Sequence, residues 1–333
     1  MSAHPFDQLT PEFICDAIDS QGLRSDARLT ALNSFENRVY QVGIEDSDPL
    51  IAKFYRPERW TLDQIKEEHE FTAELLAAEL DVIAPLAIAG KETLFKYQGF
   101  YIALFPRFGG SPPDIEQAQN LEVLGRLLGR LHAVARSNTF QHRPTIRCES
   151  YARQSIELLL QHWVPGDLRA SYQSIADDVL VLLGELEASA EKLRPLRSHG
   201  DFHLGNMIHR DQRIHMLDFD DTRTAHAIQD IWMLLSGEQE DMDRQLDILI
   251  RNYELFHDFD WREVHLVEYY RTLRILHHSA WIASRWEDPA FPLAFPWFNT
   301  GGYWSQQILT LREQLYSLQQ SHTAMSGNFA QGN

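Results

Sequence analysis

Two cysteines, Cys15 and Cys148, are all the chain contains, and their separation fits neither a CxxC redox pair nor a metal knuckle. Reduced thiols are the expectation, with no disulfide framework. Basic residues are also in deficit. Lys and Arg number 30 against 48 Asp and Glu, a formal charge of -18, which argues against broad contact with nucleic acid or an anionic membrane. No run approaches the roughly 20 apolar residues of a membrane span. The first residues, MSAHPFDQLTPEF, lack the basic-then-apolar layout of a leader peptide. The sequence is therefore read as a cytoplasmic monomer with no nucleic-acid or membrane partner. HExxH and GxSxG are both missing, which removes the usual zinc-peptidase and serine-hydrolase layouts. His199, His203, His209 and His215 are close in sequence, but in a hairpin their side chains alternate faces instead of converging on zinc.

What the chain does have is enough apolar material for a large core. Its 333 residues exceed the size at which single cores stop growing, so two lobes are expected, and 44% hydrophobic with 23% charged residues marks a globular chain. In LTPEFICDAIDSQGL, Thr10 is placed to cap, Pro11 stands at the first helical position and Gly22 lies past the end, predicting a helix over 11–21. Three β-rich runs follow, RLTALNS, RVYQVGI and LIAKFY, separated by polar turns and predicting a meander. Residues 61–80 have helical periodicity, with Ile65, Glu68, Phe71 and Leu75 on one face and Glu70 and Glu74 on the other. Two more strands are expected near DVIAPLAIAG and YQGFYIALFPRF, and PRFGGSPP reads as a hinge. Beyond it come helices over 120–136, 150–162, 167–190, 225–235, 239–256, 261–286 and 303–320. They are interrupted by two short strands, NMIHR and RIHML. The boundaries expected are an N-terminal lobe over 1–105, a helical lobe over 106–322 and a flexible tail over 323–333.

The chemistry concentrates in HGDFHLGN (199–206) and LDFDD (217–221). A small β-rich lobe with one inward Glu, a hinge and a helical lobe bearing this hairpin is an α+β architecture that resembles the protein-kinase-like bilobal fold. His199, Asp201 and Asn206 match the H-R-D-x-x-x-x-N spacing of the kinase catalytic loop, with Gly200 replacing the Arg. That replacement is similar to the aminoglycoside phosphotransferase and choline kinase superfamily. Only eleven residues separate Asp218 from Asp230, too few for a long activation segment.

The resemblance implies a phosphotransferase using ATP and Mg2+. Phosphoryl transfer needs charge neutralisation and an aligned nucleophile, so Asp201 is expected as the base, with Asn206 and Asp218 as metal ligands. Lys53, a charge inside an apolar strand, needs a partner; Glu68 is expected, with Glu67 the alternative, and Lys53 would face the α- and β-phosphates. Ser34, in a first turn with no glycine, would serve the phosphates. The segment from Leu104 through Phe105 to Phe108 would meet adenine through its backbone. Asp230 would brace the catalytic loop and His132 would pack in the core. Asp220 is left open between a second metal and a turn cap, and Asp221 reads as structural.

The runs LNSFENRVYQV, KFYRPERW, EEHEFTAEL, QGFYIALFP, HRPTI, IQDIWMLL and DPAFPLAFPWF resemble the bacterial stress response kinase A family, the RdoA-type Ser/Thr protein kinases, over about residues 8–320. The resemblance implies an ATP-dependent enzyme that phosphorylates Ser or Thr on proteins and on itself, in a stress response. The acidic surface keeps a small cationic acceptor, such as an aminoglycoside or choline, as the alternative. A nucleotide-binding scaffold without turnover is disfavoured, because Lys53, Asp201, Asn206 and Asp218 are all present. DPAFPLAFPWFNTGGYW (288–304) is left open between core packing and shaping the acceptor cleft.

Overall fold

The computed structural model describes residues 4–90 and 92–330, with the backbone alone for Ala89 and 324–330. Helix α1 (Pro11–Asp19) starts where Thr10 Oγ1 accepts from the Phe13 N–H at 3.2 Å, with Pro11 at the first helical position. Strands β1 (Ser25–Ala31), β2 (Arg38–Ile44) and β3 (Leu50–Phe54) form the expected meander. Helix α2 (Leu62–Ala77) is opened by a capping box between Thr61 and Gln64. Strands β4 (Leu94–Tyr97) and β5 (Phe100–Pro106) complete an antiparallel sheet of order β1-β2-β3-β5-β4. DVIAPLAIAG is not a strand of that sheet: only Val82 bridges, to Met216 far along the chain, and Ile88–Gly90 is one 3₁₀ turn. Its run of small residues offers little cross-strand packing, so the chain passes by as an extended connector.

Period-two alternation decides what each face of the sheet does. Ala52 and Phe54 join Val42, Ile44, Ile102 and Leu104 in a core closed by Phe6, Ile14 and Ile18. Ile51 and Lys53 point to the opposite face, into the cleft.

The helical part follows, with α3 (Ala118–Ala135), α4 (Gln154–His162), α5 (Arg169–Ala190) and the small strand β6 (Leu196–Ser198). Then come β7 (Met207–Arg210), β8 (Arg213–Met216), β9 (Arg223–Ala225), α6 (Ile228–Trp232) and α7 (Gln239–Tyr253). The chain ends with α8 (Val267–Ser284), α9 (Ala290–Ala294) and α10 (Gly301–Ala330). Strands β7 and β8 form the expected hairpin, and β6 pairs with β9 to bracket it.

One expectation fails here. Helix α10 continues to Ala330, because nothing in HTAMSGNFA supplies a proline stop, so most of the expected tail is helical; residues 331–333 lie outside the described residues. Glu74, on the face of α2 away from Glu68, binds Arg197 at 2.5 Å and ties α2 to β6.

The segment 288–304 does both things left open for it. Phe291, Phe298 and Trp304 are buried in the helical core, while Phe295 lines the cleft. Asp288 is buried and accepts from Arg38 at 2.8 Å and Arg56 at 2.7 Å. The C-terminal loop is thereby fastened to β2 and to the KFYRPERW turn.

Candidate active site

A cleft of about 800 Å³ lies between the sheet and the helical part, lined by Ser34, Lys53, Glu68, Phe105, Phe108, Asp201, Asn206 and Asp218 among others. Sheet register places Lys53 opposite Val39 on β2 and Ala103 on β5, in the middle of the sheet. Its Nζ is 3.3 Å from Glu68 Oε1, 3.2 Å from Asp218 Oδ1 and 3.1 Å from Asp220 Oδ1. Burial pulls the Lys53 ammonium down, but the charges of Asp220 and Glu68 outweigh it and keep the group protonated. Glu68 also accepts from Arg143 at 2.8 Å and from the Tyr55 hydroxyl at 3.0 Å. Glu67, the alternative partner, points elsewhere and accepts from the backbone N–H groups of Gln141, His142 and Arg143.

Asp201 is surrounded by donors. Arg274, on α8, donates to Oδ1 at 2.5 Å, His203 Nε2 is 3.3 Å from Oδ2, and Asn206 Nδ2 donates to the same oxygen at 3.3 Å. Burial raises the Asp201 carboxyl, yet the His203 hydrogen bond and the Arg274 charge outweigh it and hold the group well below the usual carboxylate range. It is ionised at neutral pH.

Asn206 spends its amide on Asp201, and among the described residues nothing donates to its Oδ1. Asp218 is half-exposed and sits in the left-handed region at φ 59°, a conformation Asp tolerates better than most residues and one that recurs at functional sites. Its Oδ1 meets Lys53, while Oδ2 is unengaged among the described residues. Two free hard oxygens suit a magnesium ion whose other ligands are phosphate oxygens and water. Among the described residues no three His, Cys, Asp or Glu side chains are grouped as metal ligands.

Asp230 organises the loop from beneath. It is fully buried, and its carboxylate accepts from the His199 N–H at 2.8 Å, the Gly200 N–H at 2.9 Å and His132 Nε2 at 3.1 Å. His132 is the packed, hydrogen-bonded core histidine foreseen, with Tyr253 on its other nitrogen at 3.0 Å. His199 is buried too, its Nε2 donating to the Leu217 carbonyl at 3.0 Å. Gly200 adopts φ 83°, and a Cβ there would stand 2.1 Å from the Asp221 carbonyl oxygen, so no Arg fits. The remaining residues are placed more loosely. Ser34 donates to the Asn37 carbonyl at 3.1 Å, closing its own turn at the cleft mouth. Phe108 packs on His215, ring centroids 4.2 Å apart.

Sequence reasoning leaves Asp220 open and reads Asp221 as structural. Asp220 does not cap the next turn: it is buried, paired with Lys53 and Arg59. Asp221 accepts from Arg59 at 2.7 Å and Arg223 at 2.9 Å. Sequence reasoning thus missed Arg59, Arg143, His203 and Arg274 as neighbours of the site. Arg59 and Arg143 lie inside FYRPERW and HRPTI, runs whose conspicuous charges beside apolar strands were a signal. Arg274 carried none, 73 residues beyond Asp201 on an unremarkable helix.

The comparisons agree with this geometry. Residues 28–267 match the model of the phosphotransferase enzyme family. The chain is 42% identical over 320 residues to a stress response kinase A of Escherichia coli O157:H7, covering 96% of each. It is 41% identical over 314 residues to the serine/threonine protein kinase RdoA of Salmonella typhimurium strain LT2, covering 94% of each. Among solved structures, an amicoumacin kinase in complex with AMP-PNP, Ca2+ and Ami superposes with a TM-score of 0.70 at 18% identity, covering 90% of this chain and 92% of the other, a likeness of fold. No helix of the described residues is long and apolar enough to cross a membrane. With a family model matched across the site and relatives aligned along nearly its whole length, the chain belongs to the phosphotransferase enzyme family and, within it, to the stress response kinase A group.

Proposed function

We propose that the protein transfers the γ-phosphoryl group of Mg-ATP to Ser or Thr hydroxyls of proteins, its own included, in a cytoplasmic stress response, acting as a monomer. The observation that carries the reading is the convergence of Lys53, Glu68, Asp201, Asn206 and Asp218 on one cleft. In this reading Asp201 accepts the hydroxyl proton while the acceptor oxygen bonds to the γ-phosphorus. The bond from that phosphorus to the bridging oxygen breaks, and ADP leaves. Lys53, aligned by Glu68, binds the α- and β-phosphates. Ser34 and the turn amides cover the phosphates, and the backbone from Phe105 to Phe108 meets adenine. Asn206 and Asp218 are the residues that would hold Mg2+, which supplies charge neutralisation on the phosphates. Asp230 and His199 keep the loop in place.

Support for a protein acceptor comes from the relatives bearing kinase names. A small-molecule acceptor is the second reading, favoured by a fold neighbour that is an amicoumacin kinase. Incubation with γ-labelled Mg-ATP, alone, with protein acceptors, and with aminoglycosides and amino alcohols decides between them. Label on Ser or Thr that vanishes in Asp201→Ala is expected. Label confined to a small molecule would replace the protein-kinase reading.

A further inference from the structure

Among the described residues every carboxylate lining the cleft is ion-paired, Asp218 through one oxygen only. Beyond Asp201 its wall is built by Tyr151, Arg274, His277, His278, Trp281 and Phe295. Asp201 is bound by Arg274, and Asp221 by Arg59 and Arg223. Glu36 is bound by Arg56 at 3.0 Å and Arg285 at 3.1 Å, and it also accepts from Trp281 Nε1. Burial pulls His277 down to about 4 and lowers His278, so both rings are neutral at pH 7 and add no charge to the wall.

A side cavity of about 370 Å³ adjoins the wall, sharing Glu36, Arg59, His277 and Trp281 with the cleft and adding Arg223 and Arg285. Donors are in surplus around it: Trp60 Nε1 and Arg223 Nε are buried with no acceptor among the described residues. Arg274 itself is 44% exposed at its side chain, and only one of its guanidinium nitrogens is engaged among the described residues.

Resting on the protein-hydroxyl reading above, we infer that the acceptor is anionic beside its hydroxyl: a Ser or Thr flanked by acidic side chains, whose carboxylate Arg274 grips while it holds Asp201. A guanidinium presents a planar fork that matches a carboxylate in two parallel bonds, and Arg274 has the donors left to make them. A cationic acceptor would meet Arg274 with every nearby carboxylate already taken. The net charge of -18 pulls the other way. That field acts on approach and is screened beyond about 8 Å at physiological salt, whereas discrimination is set by contacts inside the cleft.

The test uses the full chain with Mg-ATP and one Ser peptide in two versions, flanked by Asp and Glu or by Lys and Arg, with choline and kanamycin as cationic acceptors. The acidic peptide is expected to have a kcat/KM at least about tenfold above the basic one, the ratio that about 1.4 kcal/mol supplies. The difference should lie mainly in KM and shrink as salt is raised. Arg274→Lys should retain part of the preference and Arg274→Glu should invert it, with melting temperature and ATP affinity measured on both to verify the fold. If neither variant folds, the ranking by the unmodified protein decides. Equal or better use of the basic peptide overturns the inference alone; phosphorylation of choline or kanamycin with no label on either peptide or on the chain overturns the protein-hydroxyl reading with it. ATP binding with no label on any acceptor, the chain included, overturns the reading beneath it as well.

Discussion

Replacing Asp230 by Ala tests how the catalytic loop is held. The carboxylate is fully buried and accepts from two backbone N–H groups, those of His199 and Gly200, and from His132. Its removal takes away the acceptor that the His199 N–H, the Gly200 N–H and His132 Nε2 share in the native fold. Hydrogen bonds to a charged group are worth about 1.5–3 kcal/mol each, so the gross loss is several kcal/mol. Part is returned, because the native fold no longer has to keep a carboxylate out of water; each donor left unsatisfied costs about 1–3 kcal/mol. We expect Asp230→Ala to lose about 3–5 kcal/mol in urea unfolding, a large share of the roughly 5–15 kcal/mol that holds a domain together. Under conditions where the variant is still folded, phosphoryl transfer should fall through kcat, since the displaced loop carries Asp201 with it while Lys53 and the sheet remain in place. A loss below about 1 kcal/mol would refute the reasoning, for it would mean the loop keeps its shape without this acceptor.

Other perturbations probe the remaining parts. Gly200→Ala forces a Cβ against the Asp221 carbonyl oxygen in a left-handed backbone, so unfolding experiments should show a loss of about 2–3 kcal/mol or more, with transfer activity falling in parallel. Lys53→Met removes the cation proposed to bind the phosphates while Glu68 and Asp220 keep Arg143 and Arg59; circular dichroism should show a folded protein, and steady-state kinetics a kcat lower by about 10²–10³. His277 is held neutral by burial, with a folded value near 4 below the usual 6.5. Its contribution to stability is present above pH 6.5 and lost as pH falls through that window, because the unfolded chain takes up the proton first. His277→Phe, keeping a ring stacked on Tyr151, should flatten the stability profile between pH 6.5 and 4 measured by denaturant titration.

Local features of the chain were legible where the physics is local. Thr10 before Pro11, the helical periodicity over 61–80 and the apolar run around Lys53 each act within a few residues, and the elements they foretell form where expected. Glu68 was legible because helical period alone puts it with Ile65, Phe71 and Leu75 on the buried face. The five-residue step from Asp201 to Asn206 likewise belongs to one short loop. DVIAPLAIAG misled for the converse reason: Val82 is buried where it bridges to Met216 on β8, which no neighbour in sequence reveals.

By itself, then, the sequence determined the α+β layout, the buried face of each element and the spacing of the catalytic-looking loop, since propensity, capping and periodicity are properties of neighbouring residues. Only the tertiary structure decided which charges meet. Asp288 reaches Arg38 across 250 positions, Arg274 finds Asp201 across 73, and Asp220 joins Lys53 and Arg59 in a buried cluster. Such pairs carry no periodic signature, because a buried charge needs an opposite charge nearby in space and is indifferent to where along the chain it comes from.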